Sequence, residues 1–197
     1  MAVRILARMV KEASIYVTPT NYFFLSCFGK EQTEEFIKSK PDYSYIPTQL
    51  IQERWQIRQR RLGMNIPESS LEKYRSLRHK MVNELWKAGV PLMAGSDSPE
   101  WFLVTGFSIH DEIESFVQSG LTPWDALQTA TTNPATYMGI GKTKGKIEKG
   151  YDADLILLNA NPLEDIRNSR SIHAVIKNGV LYDRPTLDGF LKEARYQ

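Results

Sequence analysis

The chain has 197 residues, and its 25 Lys and Arg side chains nearly balance 23 Asp and Glu, which leaves a formal net charge of +2. This balance gives no reason to expect nucleic acid or an anionic membrane as a partner, and no run of about 18 apolar residues predicts a membrane span. The only cysteine, Cys27, is typical of a reducing compartment, so we expect a cytoplasmic protein. A signal peptide on a longer parent chain would not be visible in these residues.

The first third of the chain predicts a helix, a strand and a long excursion. Apolar residues recur at helical spacing over residues 2–12. Residues 15–18 are β-rich and end at Pro19, which predicts a buried strand. Residues 21–65 show no clean period, and we interpret them as a partly helical excursion. Their basic run at 54–61 is more typical of a solvated helix surface over a barrel rim than of a nucleic-acid site, because the whole chain is nearly neutral.

The middle of the chain predicts four helices and one short strand. Residues 70–88 give the strongest helical pattern, and Ser69 and Glu72 form a capping-box pattern at its start. An apolar run follows and ends at Asp97. Three further helices are predicted, and their expected N-caps are Ser108, Thr122 and Asn133.

After residue 141 the pattern changes from helical to extended. Residues 155–158 predict a strand, and two apolar runs flank Asn178-Gly179, a strong hairpin signal. A last helix is predicted over residues 186–195. This order indicates part of a parallel α/β unit joined to a small β domain.

The most informative segment is the short apolar run over residues 90–99 that ends on a carboxylate. Small residues at positions 94–96 let another backbone approach closely, and Pro99 ends any strand pairing. A buried strand that presents one Asp at its carboxyl end is how a parallel α/β barrel builds an active site. The alternative is that Asp97 only caps a turn.

Four groups of motifs, in fixed order, occupy about half of the chain. They are AGSDSP at 94–99, GFSIHDEIE at 106–114 with GLTP at 120–123, ATTNPA at 130–135, and GKIEKGYDADL at 145–155 with VIKNG at 175–179. In this order and spacing they resemble the C-terminal part of metal-dependent amidohydrolases, and most closely the imidazolonepropionase and prolidase-like branch.

The resemblance implies an α/β fold. Residues 1–143 would be the C-terminal portion of a (β/α)8 TIM-like barrel, with residues 15–18 as its seventh strand and residues 92–96 as its eighth. Residues 144–197 would be the C-terminal part of a small β-sandwich domain, followed by a C-terminal helix.

The resemblance also implies a chemistry. In this family one or two divalent metals, usually zinc, activate a water for attack on an amide-type carbon. The Asp at the end of the eighth strand binds metal, takes the proton of that water and passes it to the leaving nitrogen. By this likeness Asp97 is the catalytic base and a metal ligand, and the nearby Ser98 and Trp101 bind substrate. His110 is a second catalytic candidate, and the alternative for it is ordinary packing at a helix start.

The remaining metal ligands cannot be placed in this sequence. The family uses a His-x-His pair, a Lys or Glu and two further His residues, whereas this chain has only His79, His110 and His173. We expect His79 to lie on the solvated side of its helix. We therefore expect that most ligands belong to residues absent from this chain, and that the chain is a C-terminal fragment, a split gene product or a truncation. An unpaired strand edge would then favour association, for example as a homo-oligomer.

The predicted function is hydrolysis of carbon–nitrogen bonds in a small amide, cyclic amide or dipeptide-like substrate. The alternative is a non-catalytic half-barrel fragment, or an oligomerising binding module, that holds no metal. Asp152 and Asp154 have the spacing of a metal pair, but the Gly-x-Asp-Ala-Asp-Leu pattern of the family implies that they only form a turn and lead into a strand.

Overall fold

The computed structural model describes residues 2–27, 33–62 and 66–196. Its α-helices are α1 (Ala2–Glu12), α2 (Asn21–Ser26), α3 (Glu34–Ser39), α4 (Thr48–Leu62), α5 (Glu68–Lys87), α6 (Ser108–Gln118), α7 (Pro123–Gln128), α8 (Thr132–Tyr137) and α9 (Arg184–Glu193). Its strands are β1 (Leu155–Leu158), β2 (Ile172–Lys177) and β3 (Val180–Tyr182), and 3₁₀ helices lie at Tyr43–Tyr45 and Ile166–Arg170. The predicted helices and the three strands after residue 150 occur in the predicted order, with ends that differ by a few residues. Residues 15–18, predicted as a buried strand, form no strand, and Ile15 is 49% exposed.

Two extended segments run side by side, and we call residues 15–18 the first parallel segment and residues 92–96 the second. Val17 and Leu92 form a parallel bridge. The Met93 N–H donates to the Val17 carbonyl oxygen at 2.9 Å. The predicted parallel direction is confirmed, but the pairing is a single bridge and neither segment forms a full strand.

The second parallel segment is held on its other side by the C-cap residue of α7 and by α8. The Ala94 N–H donates to the Thr129 carbonyl oxygen at 2.9 Å, and Nδ2 of Asn133 donates to the Leu92 carbonyl oxygen at 2.8 Å. The prediction that Asn133 caps a helix is wrong, because α8 begins at Thr132 and the amide binds the neighbouring segment instead.

The main apolar core lies where α5, α6 and α7 meet the second parallel segment. Val82 of α5, Phe116 of α6 and Ala126 of α7 are almost completely buried there, together with Leu92. Burial of such side chains is the dominant favourable term in folding. The core therefore fixes the second segment against three helices.

The inner face of α5 is more polar than its sequence pattern predicts. Leu77 is 47% exposed, although the helical pattern of residues 70–88 places it on the apolar face. Arg78 and His79 turn inward instead: Nη2 of Arg78 donates to the Pro19 carbonyl oxygen at 2.6 Å, and Nδ1 of His79 lies 2.8 Å from Oγ of Ser119. The prediction of a solvated His79 is wrong, and burial lowers the pKa of this imidazole.

At the helix starts, the structure confirms the predicted cap at Thr122 and contradicts the predicted caps at Ser69 and Ser108. Oγ1 of Thr122 accepts the Asp125 N–H at 3.1 Å, as predicted for α7. The capping box predicted at Ser69 is wrong, because α5 already begins at Glu68 and no side chain caps it. Ser108 is the first residue of α6 rather than its cap, and its hydroxyl has other partners.

The three strands form one antiparallel sheet in the order β1-β2-β3. Asn178 and Gly179 both have positive φ, 52° and 79°, in the turn between β2 and β3, which confirms the predicted hairpin. Asp154 binds Nζ of Lys177 at 2.8 Å and the Asn178 N–H at 2.9 Å, and Asp152 pairs with Lys144. Both carboxylates therefore brace the hairpin and the turn before β1, as the family pattern implied.

Within residues 2–27, 33–62 and 66–196, no helix combines the length and the apolar character that crossing a bilayer requires.

Candidate active site

The carboxyl ends of both parallel segments carry backbone in the left-handed region. Asp97 follows the second segment with φ 58°, and Thr20 follows the first with φ 45°. Asp tolerates this conformation, whereas a β-branched Thr adopts it only under strain. Such strained residues concentrate at functional sites.

The Asp97 side chain is exposed. Among the residues that the structure describes, none donates a hydrogen bond to its carboxylate. This carboxylate is therefore available to bind a cation or to accept a proton.

Residues 97–101, which we call the Asp97 loop, are held from one side by α4. Arg54 donates to the Pro99 carbonyl oxygen, and the guanidinium carbon of Arg61 lies 4.6 Å from the centre of the Trp101 ring. Arg54 and Arg58 are only 7% and 8% exposed. The interpretation of residues 54–61 as a solvated surface is wrong for Arg54 and Arg58, because both are buried, whereas Arg60 is exposed.

Ser98 and Trp101, the two predicted substrate-binding residues, lie within this loop. Oγ of Ser98 is 3.1 Å from Oγ1 of Thr105. The Trp101 indole is buried and packs edge-on against Phe102 at 5.5 Å between ring centres. Trp101 also lines a surface pocket together with Lys40. Ser98 thus lies nearer to solvent than the indole.

His110, the second catalytic candidate, lies in the first turn of α6. Its Nδ1 is 3.0 Å from Oγ of Ser169, in the 3₁₀ helix at Ile166–Arg170. Burial, and then the charge of Arg170, lower the pKa of the imidazole. The ring therefore favours the neutral form at neutral pH, and its catalytic role stays a prediction.

Two buried residues of α6 that sequence reasoning missed contact the ends of both parallel segments. The Glu112 carboxylate accepts the N–H groups of Asn21 at 2.8 Å and Tyr22 at 2.6 Å. Burial raises its pKa to about 7, although these hydrogen bonds favour the ionised form. Oγ of Ser108 lies 2.8 Å from Oγ of Ser96, next to Asp97. In the sequence, the available signal for Ser108 and Glu112 was their spacing of four residues within GFSIHDEIE, which places both on one face of a helix.

A metal site requires more donors than the described residues bring together. Zinc in proteins takes three or four protein ligands. No group of three His, Cys, Asp or Glu side chains in metal-binding proximity occurs within the described ranges. Asp97 fits one carboxylate ligand, but the described part of the chain does not form a metal site alone.

The fold is α/β, and comparisons with known proteins place it. Residues 53–182 match the model of the amidohydrolase family, and the chain belongs to this family. A solved structure of a Xaa-Pro dipeptidase with bound methionine in its active site has the same fold, with a TM-score of 0.59 at 22% sequence identity over 90% of this chain.

Curated relatives match the chain over about half of its length. An ochratoxinase from Aspergillus niger is 32% identical over 114 residues, which are 55% of this chain and 23% of that protein. An imidazolonepropionase from Thermoplasma volcanium is 33% identical over 103 residues, which are 49% of this chain and 25% of that protein. The chain covers 36% of the dipeptidase. It therefore spans only about a quarter to a third of the length of these proteins.

Proposed function

We propose that this chain supplies the carboxylate of a metal-dependent amidohydrolase that hydrolyses a carbon–nitrogen bond in a small amide or cyclic amide. The observation that carries the proposal is the exposed carboxylate of Asp97 at the carboxyl end of a segment in parallel pairing. Membership of the amidohydrolase family supports it, as does the similarity to an ochratoxinase and an imidazolonepropionase.

Asp97 has the chemistry that this role needs. An ionised carboxylate accepts the proton of an attacking water and can return it to the leaving nitrogen, so one group serves as base and then as acid. A divalent metal, zinc in our proposal, would supply an acidified water and a polarised carbonyl when bound. Asp97 would be one ligand, and the other ligands would come from protein outside these 197 residues.

The rest of the Asp97 loop would form the wall of the substrate site. Ser98, next to the carboxylate, would contact substrate through its hydroxyl, and Trp101 would form an apolar floor held by Arg61. His110 is tied to Ser169 through Nδ1, so any contact with substrate would use Nε2.

The parallel contact also supports the finer architecture that we propose. Residues 1–143 would be the last part of a (β/α)8 barrel, in which the two parallel segments are its final strands. Residues 144–197 would belong to a β-sandwich, because their antiparallel sheet has no counterpart in a barrel of parallel strands.

Exposed Ile5, Leu6 and Met9 of α1 would offer a surface for self-association.

The test is to purify, from the source cells, the assembly that contains this chain through a tag on the chain. Metal is measured by elemental analysis, and hydrolysis is measured with N-acyl amino acids, dipeptides and cyclic amides. Asp97→Asn keeps the size of the side chain but removes the base. We expect wild type to hold metal and hydrolyse at least one substrate, and Asp97→Asn to lose about 10²-fold or more in kcat.

Asp152→Asn is the matched control, because it makes the same change at the exposed turn before β1. We expect it to keep wild-type activity. A metal-free, inactive wild-type assembly would instead support the non-catalytic alternative. Equal activity of wild type and Asp97→Asn would show that another group is the base.

A further inference from the structure

We infer that Ser108 and Glu112 are positioning residues for Asp97, an assignment whose catalytic consequence rests on the proposed function. They lie one turn apart on the same face of α6. Both side chains are 0% exposed. From this face, Glu112 binds the first two residues of α2, just beyond the first parallel segment, and Ser108 binds Ser96 at the end of the second. The helix thereby fixes the two ends relative to each other.

Glu112 holds the chain where it leaves the first parallel segment. Its two oxygens accept the N–H groups of Asn21 and Tyr22, the first two amides of α2, which have no partner within the helix. These amides directly follow the left-handed Thr20. The charged group that faces the carboxylate from α5 is Arg78, which also binds the Pro19 carbonyl oxygen. The turn is thus held from α5 and from α6.

Ser108 holds the second parallel segment in the same way. We call the contacts of Glu112 with Asn21 and Tyr22, together with those of Ser108, the α6 clasp. Its Oγ lies 2.8 Å from Oγ of Ser96 and 2.9 Å from the Val104 carbonyl oxygen. Ser96 precedes the Asp97 loop, and Val104 follows it. One buried hydroxyl therefore joins both ends of the stretch that carries Asp97, and this limits where the carboxylate can lie.

The surroundings of these side chains favour positioning over a purely packing role. Ile113 and Phe116, on the same helix, are buried in the apolar core, and a buried carboxyl is costly there unless it is hydrogen-bonded. An apolar residue would fill the position of Glu112 but could not accept two N–H groups. A fully satisfied buried polar contact specifies one local geometry.

The test uses amide hydrogen exchange of the 197-residue chain, followed by NMR, for Glu112→Gln and Ser108→Ala. We expect Glu112→Gln to accelerate exchange at Asn21 and Tyr22 by about tenfold or more, as the loss of a charge-assisted hydrogen bond predicts. We expect Ser108→Ala to accelerate exchange at Glu100, whose N–H donates to the Asp97 carbonyl oxygen at 3.0 Å.

Glu114→Gln is the matched control on the same helix. Glu114 pairs with Arg170 and not with either parallel segment, so exchange at Asn21, Tyr22 and Glu100 should stay at the wild-type rate. Unchanged exchange in Glu112→Gln and Ser108→Ala would overturn the assignment. If a variant does not fold, an NMR pH titration of the wild-type chain replaces it. The amide chemical shifts of Asn21 and Tyr22 should then change together near pH 7, where Glu112 ionises. The absence of a shared midpoint would overturn the clasp.

Activity of the tagged assembly separates this assignment from the proposed function. If positioning matters, Glu112→Gln and Ser108→Ala lower kcat more than they raise KM, and Glu112→Asp, which keeps the carboxylate, recovers part of kcat. Exchange that rises while kcat stays constant would overturn the positioning role. Full activity of Asp97→Asn would instead remove the proposed function and leave the exchange results as evidence of a structural clasp only.

Discussion

Two aspartates of this chain show how surroundings divide one residue type into two roles. Asp154 lies against the amines of Lys144 and Lys177 and the Asn178 N–H, and these contacts hold its pKa well below the usual range. Asp97 has exposed oxygens that no described residue binds, on backbone in the left-handed region. The first carboxylate is committed to a turn, and the second is free to act on a ligand.

Glu112 makes a prediction about stability and pH. The folded state holds its proton up to about pH 7, whereas the ordinary value is 4.5. The folded state therefore binds more protons than the unfolded state between these pH values, so stability falls as the pH rises through this window. Over this pH range, we expect the free energy of unfolding of wild type to fall by roughly 3 kcal/mol more than that of Glu112→Gln.

Urea unfolding at pH 4.5 and at pH 7.5 measures this difference. Comparison with Glu112→Gln is needed because His79 and His110 have lowered pKa values, which make stability rise with pH. Both proteins share these groups, so their contribution cancels. Parallel pH profiles for wild type and Glu112→Gln would show that Glu112 ionises normally in the fold.

At the scale of elements, the contact between the parallel segments depends on a small residue. A Cβ added to Gly95 would lie 2.5 Å from Cγ2 of Thr18, closer than van der Waals contact permits. We expect Gly95→Ala to lower the free energy of unfolding by about 1–3 kcal/mol. Thr18→Ser removes the opposing methyl group, so the double variant should recover most of this loss.

A double-mutant cycle by urea unfolding checks this coupling. Gly189→Ala is the matched control, because no heavy atom lies near its added Cβ and it is in α9. We expect Gly189→Ala to raise the free energy of unfolding by about 0.5–1 kcal/mol, because Ala favours a helix more than Gly does. A loss in Gly95→Ala that Thr18→Ser does not repair would place the strain elsewhere.

Local patterns predicted the elements better than they predicted what side chains contact. The Asn178-Gly179 turn and the Thr122 cap depend on neighbours in sequence, and both were predicted correctly. Ser108 and Asn133 have the same local signature of a cap, but each binds a residue far along the chain. Arg54 of α4 looks solvated in sequence but is buried, because it donates to the Pro99 carbonyl oxygen of the Asp97 loop. Such contacts are set by tertiary packing, which a local pattern does not contain.

For the molecule as a whole, the family motifs identified the amidohydrolase likeness, but they left the site incomplete. The motif around Asp97 predicted a carboxylate at the carboxyl end of a parallel strand, but it did not predict that this carboxylate is exposed. Glu112 and Ser108 were missed because their importance depends on burial, which appears only when α6 lies across both segments. Under the proposed function, the other metal ligands would lie outside this chain, which spans about a quarter of the length of these two curated relatives.

This incompleteness predicts how the isolated chain responds to zinc. Ligand binding raises the melting temperature only when the folded state binds tightly, and one carboxylate such as Asp97 is a weak site compared with three or four ligands. We expect about 0.1 mM zinc to raise Tm of the 197-residue chain by less than ~1 °C. Asp97→Asn should give the same small response. Calorimetric scans with zinc and with a chelator measure it, and a saturable increase in Tm that Asp97→Asn abolishes would mean that this chain completes a metal site by itself.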